Sequence, residues 1–288
     1  MDLNYILLWI VGISCALHIY RLAAISVKDY KNVLLICAGI LGLQFVAYIL
    51  YPDLAGFIAF AAWMAFLIIP AMLKKQKIKA ALKADPNYQP AKRTNKITVI
   101  KFLIVLNVAA FIASEVLGGS TNPEVLVFLG ALVPELAYIY QEWWRLLTAT
   151  FLHFGLLHLF MNCFALYVLG PFVERVLGST RFLIVYLAAG IASMALIVGL
   201  NFFGLHPSRL VIGASGSVMG IIGATAGIYF ISWFKTRALT STQELKNIGL
   251  ILLIQAAFDL STPQVSFTAH FGGVVAGFIL CLVFYKKS

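Results

Sequence analysis

The chain has 288 residues, of which 62% are hydrophobic and 11% charged, with a net charge of +10 and a mean hydropathy of +0.95. A soluble domain carries about 25% charged residues, so this composition excludes a water-soluble globule. It also excludes a nucleic-acid surface, which needs a soluble basic face.

The apolar residues come in runs separated by short charged segments, and a run of about 20 spans the hydrocarbon core of a bilayer. Nine runs occur in chain order, near 4–20, 32–51, 54–73, 98–117, 148–170, 182–203, 215–233, 247–260 and 267–285. The first reaches His18 and Arg21 and comes after an acidic start at Asp2, unlike a cleavable signal peptide. After the third comes the one long basic break, 74–97, with Lys74, Lys75, Lys77, Lys79, Lys83, Lys92, Arg93 and Lys96. Lys and Arg accumulate in cytoplasmic loops, so this break is read as a cytoplasmic linker. The N-terminus is then outside and the C-terminal Lys286–Lys287 inside, with the chain in a cell membrane. Residues 1–73 are expected to form a three-span block and 98–288 a six-helix core, an all-α multi-pass fold. The break at 118–147 lies outside and is unusually apolar (VLVFLGALVPEL, AYIYQEWW), which suits a loop lying in the outer interface. Gln255 suits the short eighth run to a place sheltered by other helices. Cys15, Cys37, Cys163 and Cys281 sit within apolar runs, without C-x-x-C or zinc spacing, and are read as buried small hydrophobes.

Polar residues inside spans are costly and mark functional positions. Ser215 stands between Gly213 and Gly216 at the start of the seventh run. A helix N-terminus offers free backbone N–H groups and a positive dipole end, which suit an oxyanion formed when a serine attacks a carbonyl. The competing reading is a serine N-cap followed by a small-residue packing face. His270, opening the ninth run, is the natural base for a serine. In the expected topology both helices begin on the outer side, so Ser215 and His270 share a shallow depth. Gly273 and Gly277, like Gly216 and Gly220, have the G-x-x-x-G spacing of closely packed membrane helices. His153, His158 and Asn162 crowd ten residues of the fifth run, with His158 and Asn162 on one helix face. Their spacing is not that of a metal site; it fits donors to an oxyanion or interhelical hydrogen bonds. Glu142-Trp143-Trp144-Arg145 reads as an interfacial aromatic belt with a snorkelling arginine. Glu174 with Arg175 reads as an ion pair or a loop-stabilising contact on the inner side.

The residues Trp144-Arg145, His158 to Asn162, Gly213-Ala214-Ser215-Gly216, and Ala269-His270 with Gly273 occur in an order that resembles the rhomboid family of intramembrane serine proteases. The resemblance covers about 98–288. It implies a Ser215–His270 dyad without an acid, in a water-filled cavity open to the outer face. His158, Asn162 and the Ser215 backbone N–H would hold the oxyanion. His153 would support the site, and Arg145 would help to hold the first loop. Substrates would be single-span membrane proteins cut near the outer end of their helix, where the backbone can unwind to present a carbonyl. No metal or organic cofactor and no nucleic acid is implied; membrane lipid is the surrounding partner. Residues 1–73 depart from the familiar arrangement and are read as a scaffold in preference to a substrate selector. Two rival functions are an inactive rhomboid-like protein that binds transmembrane helices, and a transporter. The first usually lacks the serine or histidine, and the second favours polar groups across the full membrane depth.

Overall fold

The structure is a computed structural model that describes residues 99–207, 209–262 and 265–285. The three N-terminal runs and the basic linker expected at 74–97 lie outside the described residues. The chain divides into two compact units, Met1–Asn95 with Leu253–Val265, and Lys96–Leu252 with Ser266–Ser288.

Helices α1 (Val99–Val116), α2 (Pro123–Phe128), α3 (Pro134–Tyr138) and α4 (Arg145–Thr148) are followed by a 3-10 turn at Ala149–Phe151. Then come α5 (Gly155–Leu177), α6 (Ser179–Phe202), α7 (Ser215–Thr236), α8 (Leu239–Ser261) and α9 (Phe267–Phe284). Five of these, α1, α5, α6, α7 and α9, are long and apolar enough to cross a membrane. The chain is therefore a multi-pass membrane protein. Helix α8 is 23 residues long but carries Glu244, Lys246 and Asp259, and it is not among those five.

Two expected boundaries move. Hydropathy puts the fifth run at 148–170, but its helix begins at Gly155, because residues 145–151 are taken up by α4 and the 3-10 turn. Hydropathy cannot separate an apolar turn from an apolar helix, whereas Gly155, at φ +79°, marks the break. The eighth run, 247–260, belongs to a longer helix that starts at Leu239.

In the larger unit, α6, α7 and α9 pack against one another, and glycine brings α7 and α9 closest. A Cβ on Gly273 would collide with the Gly216 carbonyl, one on Gly277 with the Gly220 carbonyl, and one on Gly223 with the Val274 carbonyl. Backbone therefore meets backbone along the α7–α9 contact, in the way small residues let membrane helices close up. At one end of the bundle, Glu174 accepts hydrogen bonds from the Val99 N–H (3.1 Å) and the Ser179 hydroxyl (2.8 Å). It joins the starts of α1 and α6, which is the loop-stabilising role of the two considered. At the other end, a buried cluster of Leu132, Ala137, Ala149, Met194, Ile197, Val198, Val211 and Ala269 fastens the 118–151 segment to α6, the start of α9 and the approach to α7.

In the smaller unit the described residues are the end of α8 and the short connection leading out of it. Gln255 and Asp259 are buried there, and Gln255 Nε2 donates to Asp259 Oδ1 at 2.8 Å along the helix.

Candidate active site

The strand-like approach to α7 is held on both sides. Leu132 and Val211 exchange antiparallel backbone hydrogen bonds of 3.1 and 2.8 Å, and the Gly213 N–H donates to the Ala149 carbonyl at 2.9 Å. Gly213 then turns the chain at φ +123°, a conformation that L side chains rarely adopt. Ser215 comes next but one, as the first residue of α7, and the cap position is Ala214, which has no side chain able to hydrogen bond. Ser215 is therefore not the N-cap serine of the competing reading. The first-turn N–H groups of α7 have no side-chain cap. Within 213–220 the residues are buried except Ser215, which is partly exposed. The hydroxyl is thus reachable while its turn is fixed.

His270 enters from α9. The Ser266 hydroxyl caps that helix by accepting from the Ala269 N–H at 3.2 Å, which puts His270 in the first turn. A Cβ on Gly216 would lie 3.7 Å from the Ala269 carbonyl. The residue after Ser215 therefore abuts the residue before His270. His270 is buried, at 8% exposure.

His158 comes from the first turn of α5. Its Nδ1 accepts from the Phe154 N–H at 3.3 Å. A nitrogen that accepts is unprotonated, so the proton of the neutral ring sits on Nε2. The space a Cβ on Gly213 would fill lies 2.8 Å from His158 Nε2 and 3.7 Å from Ser215 Oγ. Only a residue without a Cβ fits here, so the His158 ring and the Ser215 hydroxyl both lie close to the Gly213 backbone.

Asn162, one turn along α5, is buried and donates Nδ2 to the His158 carbonyl at 3.0 Å. In this arrangement one of its two amide hydrogens serves its own helix. His153 packs edge-on to His158, with ring centroids 5.1 Å apart, and its Nδ1 meets the Phe151 carbonyl at 3.1 Å. Burial, reinforced by the charge of His158, pushes its pKa down to about 3. A neutral His153 therefore supports the ring of His158 without adding a charge beside it.

Arg145 differs from its sequence reading. It is 6% exposed and does not snorkel. Its Nε donates to Glu142 Oε2 at 2.5 Å, and Nη1 donates to the carbonyls of Val127 (2.7 Å) and Ala131 (3.0 Å). The guanidinium also lies over the Trp144 ring, 4.5 Å from its centroid. The guanidinium has five N–H donors in a fixed fork. Here they gather the α2–α3 turn, which sets Leu132 against Val211. Composition near Trp143 and Trp144 suggests an interface; the carbonyls that claim Arg145 come from residues 14 and 18 positions earlier and leave no sequence signal.

Sequence reasoning missed two further contributors. The Phe154 backbone N–H, which fixes the His158 tautomer, has no residue-type signature. Ser193 on α6 lies against Gly216 and Gly272, and its only sequence signal is the run of small residues Ala188-Ala189-Gly190 with Ala192-Ser193. Among the described residues no group of three or more His, Cys, Asp or Glu could hold a metal ion.

The rhomboid domain model matches residues 140–287, more than half of the chain. The rhomboid protease GluP of Bacillus subtilis is 39% identical over 188 residues, which cover 65% of this chain and 34% of that protein. RHOMBOID-like protein 5 of Arabidopsis thaliana is 29% identical over 221 residues, 77% of this chain and 68% of that protein. Rhomboid-like protease 2 of Toxoplasma gondii is 29% identical over 188 residues, 63% of this chain and 62% of that protein. The chain thus spans 34% of the length of the Bacillus protease and about two thirds of the other two. The matched region holds Ser215, His270, His158 and Arg145, and this chain belongs to the rhomboid family.

Proposed function

We propose that this chain is an intramembrane serine endopeptidase that cleaves transmembrane substrates near the outer membrane face. The observation that carries the reading is the meeting of the Ser215 hydroxyl and the His158 ring at Gly213, where there is no room for a side chain. Kinship with proteins named rhomboid proteases supports the reaction class.

In the proposed reaction Ser215 Oγ attacks the scissile carbonyl carbon while His270 takes the hydroxyl proton. The carbonyl oxygen becomes an oxyanion, to which the α7 N–H groups and His158 Nε2–H donate. Asn162 contributes its remaining amide hydrogen and steadies the turn that aims His158. Collapse breaks the C–N bond, and His270 passes its proton to the leaving amine. Water then attacks the acyl carbon and gives its proton to His270; collapse breaks the C–Oγ bond, His270 returns the proton to Ser215 Oγ, and the new carboxyl end leaves. His153 and the Arg145-held turn keep this frame fixed.

The charge pattern supports the proposed orientation. Lys101, Arg175, Arg181, Lys235, Arg237 and Lys246 fall at the helix ends away from Ser215, whereas Glu115, Glu124, Glu135 and Glu142 fall at the Ser215 end, with Arg145 and Arg209. By the positive-inside rule the Ser215 end faces outward. Residues 1–73 are proposed as a scaffold for the core at 98–288, joined by the 74–97 linker.

A fluorophosphonate tests the nucleophile, because it reacts only with an activated serine. The purified chain should be labelled at Ser215, with labelling lost in Ser215→Ala and His270→Ala and on denaturation. Labelling at another serine, or equal labelling of the two variants, would reject the assignment. Specific binding of single-span helices by an unlabelled chain would instead favour the inactive helix-binding protein.

A further inference from the structure

Ser193 lies at the junction of three helices, at the depth of the two residues proposed as nucleophile and base. It is fully buried on α6, and its hydroxyl donates to the Gly190 carbonyl at 2.7 Å. On one side, a Cβ on Gly216 would collide with the Ser193 hydroxyl and would lie 2.8 Å from Ser193 Cβ. On the other, a Cβ on Gly272 would lie 3.2 Å from Ser193 Cα. Gly216 directly follows Ser215, and Gly272 is two residues beyond His270. Nearby on α6, Ala189 meets Gly220, Gly190 meets Ser217 and Thr150, and Leu196 meets Gly272.

We propose that Ser193 is a positioning residue whose side-chain size sets the separation between the Ser215 and His270 helix starts. This rests on the reading of Ser215 and His270 as nucleophile and base. Glycine-to-carbonyl contacts set the α7–α9 spacing from Gly216 and Gly273 onward. At the catalytic end both helices also rest on α6, where Ser193 stands against Gly216 and Gly272. Protein interiors are close-packed, so added methyl groups there must displace a neighbour. The neighbours are glycine backbone, which has no side chain to give way.

The experiment compares the full chain in liposomes with Ser193→Ala, Ser193→Val and Gly227→Ala, using a single-span reporter and the fluorophosphonate. Gly227 is on the same α7–α9 contact, where an added Cβ would lie 2.9 Å from Cys281 Cβ, but about 18 Å along the helix from Ser215. It controls for packing damage without displacement at the reaction site. Ser193→Ala keeps the spacer small and should retain cleavage and labelling. Ser193→Val should lose about 100-fold in kcat, the scale of a 1 Å misplacement, and a similar factor in labelling rate, with KM little changed. Gly227→Ala should lose thermal stability but keep kcat per folded molecule. If the valine variant does not fold, Ser193→Thr supplies a smaller displacement with the same kcat-selective signature. Wild-type kcat in both the valine and threonine variants, or an equal kcat loss in Gly227→Ala, would overturn the positioning role. Cleavage that survives Ser215→Ala or His270→Ala would instead overturn the dyad on which it rests.

Discussion

Gly213 serves both the backbone and the site. Its φ of +123° turns the chain into α7, and its missing Cβ lets the His158 ring and Ser215 Oγ lie close to its backbone. Gly213→Ala strains the turn by about 1–3 kcal/mol and puts a methyl group against the His158 ring. Fluorophosphonate capture and reporter cleavage should both fall by about 100-fold, even in protein that is still folded by thermal melting. His153 makes a different kind of prediction. Its pKa falls from 6.5 to about 3 on folding, mainly through burial. The unfolded chain therefore binds a proton more readily between those values, and stability is lost as pH drops below 6.5. By pH 5 the contribution from this residue is about 2 kcal/mol. Melting in detergent should show a smaller drop from pH 7 to pH 5 for His153→Gln than for the wild type. Ser215, His270 and His158 were legible as polar residues in apolar runs. The tautomer of His158 was not, because it depends on a backbone N–H.

Among the helices, the α7–α9 pair was the most legible, because Gly216, Gly220, Gly273 and Gly277 announce a close approach through their spacing. The register was not legible: Gly273 meets Gly216, and Gly277 meets Gly220, whereas Gly223 meets Val274, which is not a small residue. Gly223→Ala drives a methyl group into the Val274 carbonyl and should cost about 1–3 kcal/mol. Gly199, in α6, has nothing within 4 Å of its would-be Cβ. Gly199→Ala should be neutral or stabilising by up to about 1 kcal/mol, from helix propensity alone. Unfolding of the two variants in mixed micelles checks the contrast, and equal effects would contradict the packing described. The start of α5 escapes hydropathy for a related reason. Residues 145–154 are apolar enough to continue a span, and their turns are set by Arg145, Thr148 and the Gly130 carbonyl, which Thr148 Oγ1 holds at 2.8 Å. Such long-range partners leave no periodicity.

Across the whole molecule, composition was enough to read a multi-pass membrane protein, since 11% charged residues cannot keep a globule of this size in water. The proposed orientation has its own test in single-cysteine variants made on a cysteine-free background. Glu124→Cys should react with an impermeant maleimide in intact cells, and Lys246→Cys only after permeabilisation; the reverse pattern would invert the topology. The central claim is that peptide bonds are cut by Ser215 with His270 as base. The most direct measurement is cleavage of a single-span reporter, with small helix-weakening residues near its outer end, by the purified chain in liposomes. The account predicts cleavage by the wild type that chelators leave intact and that Ser215→Ala and His270→Ala each abolish. Cleavage that persists in Ser215→Ala would contradict it.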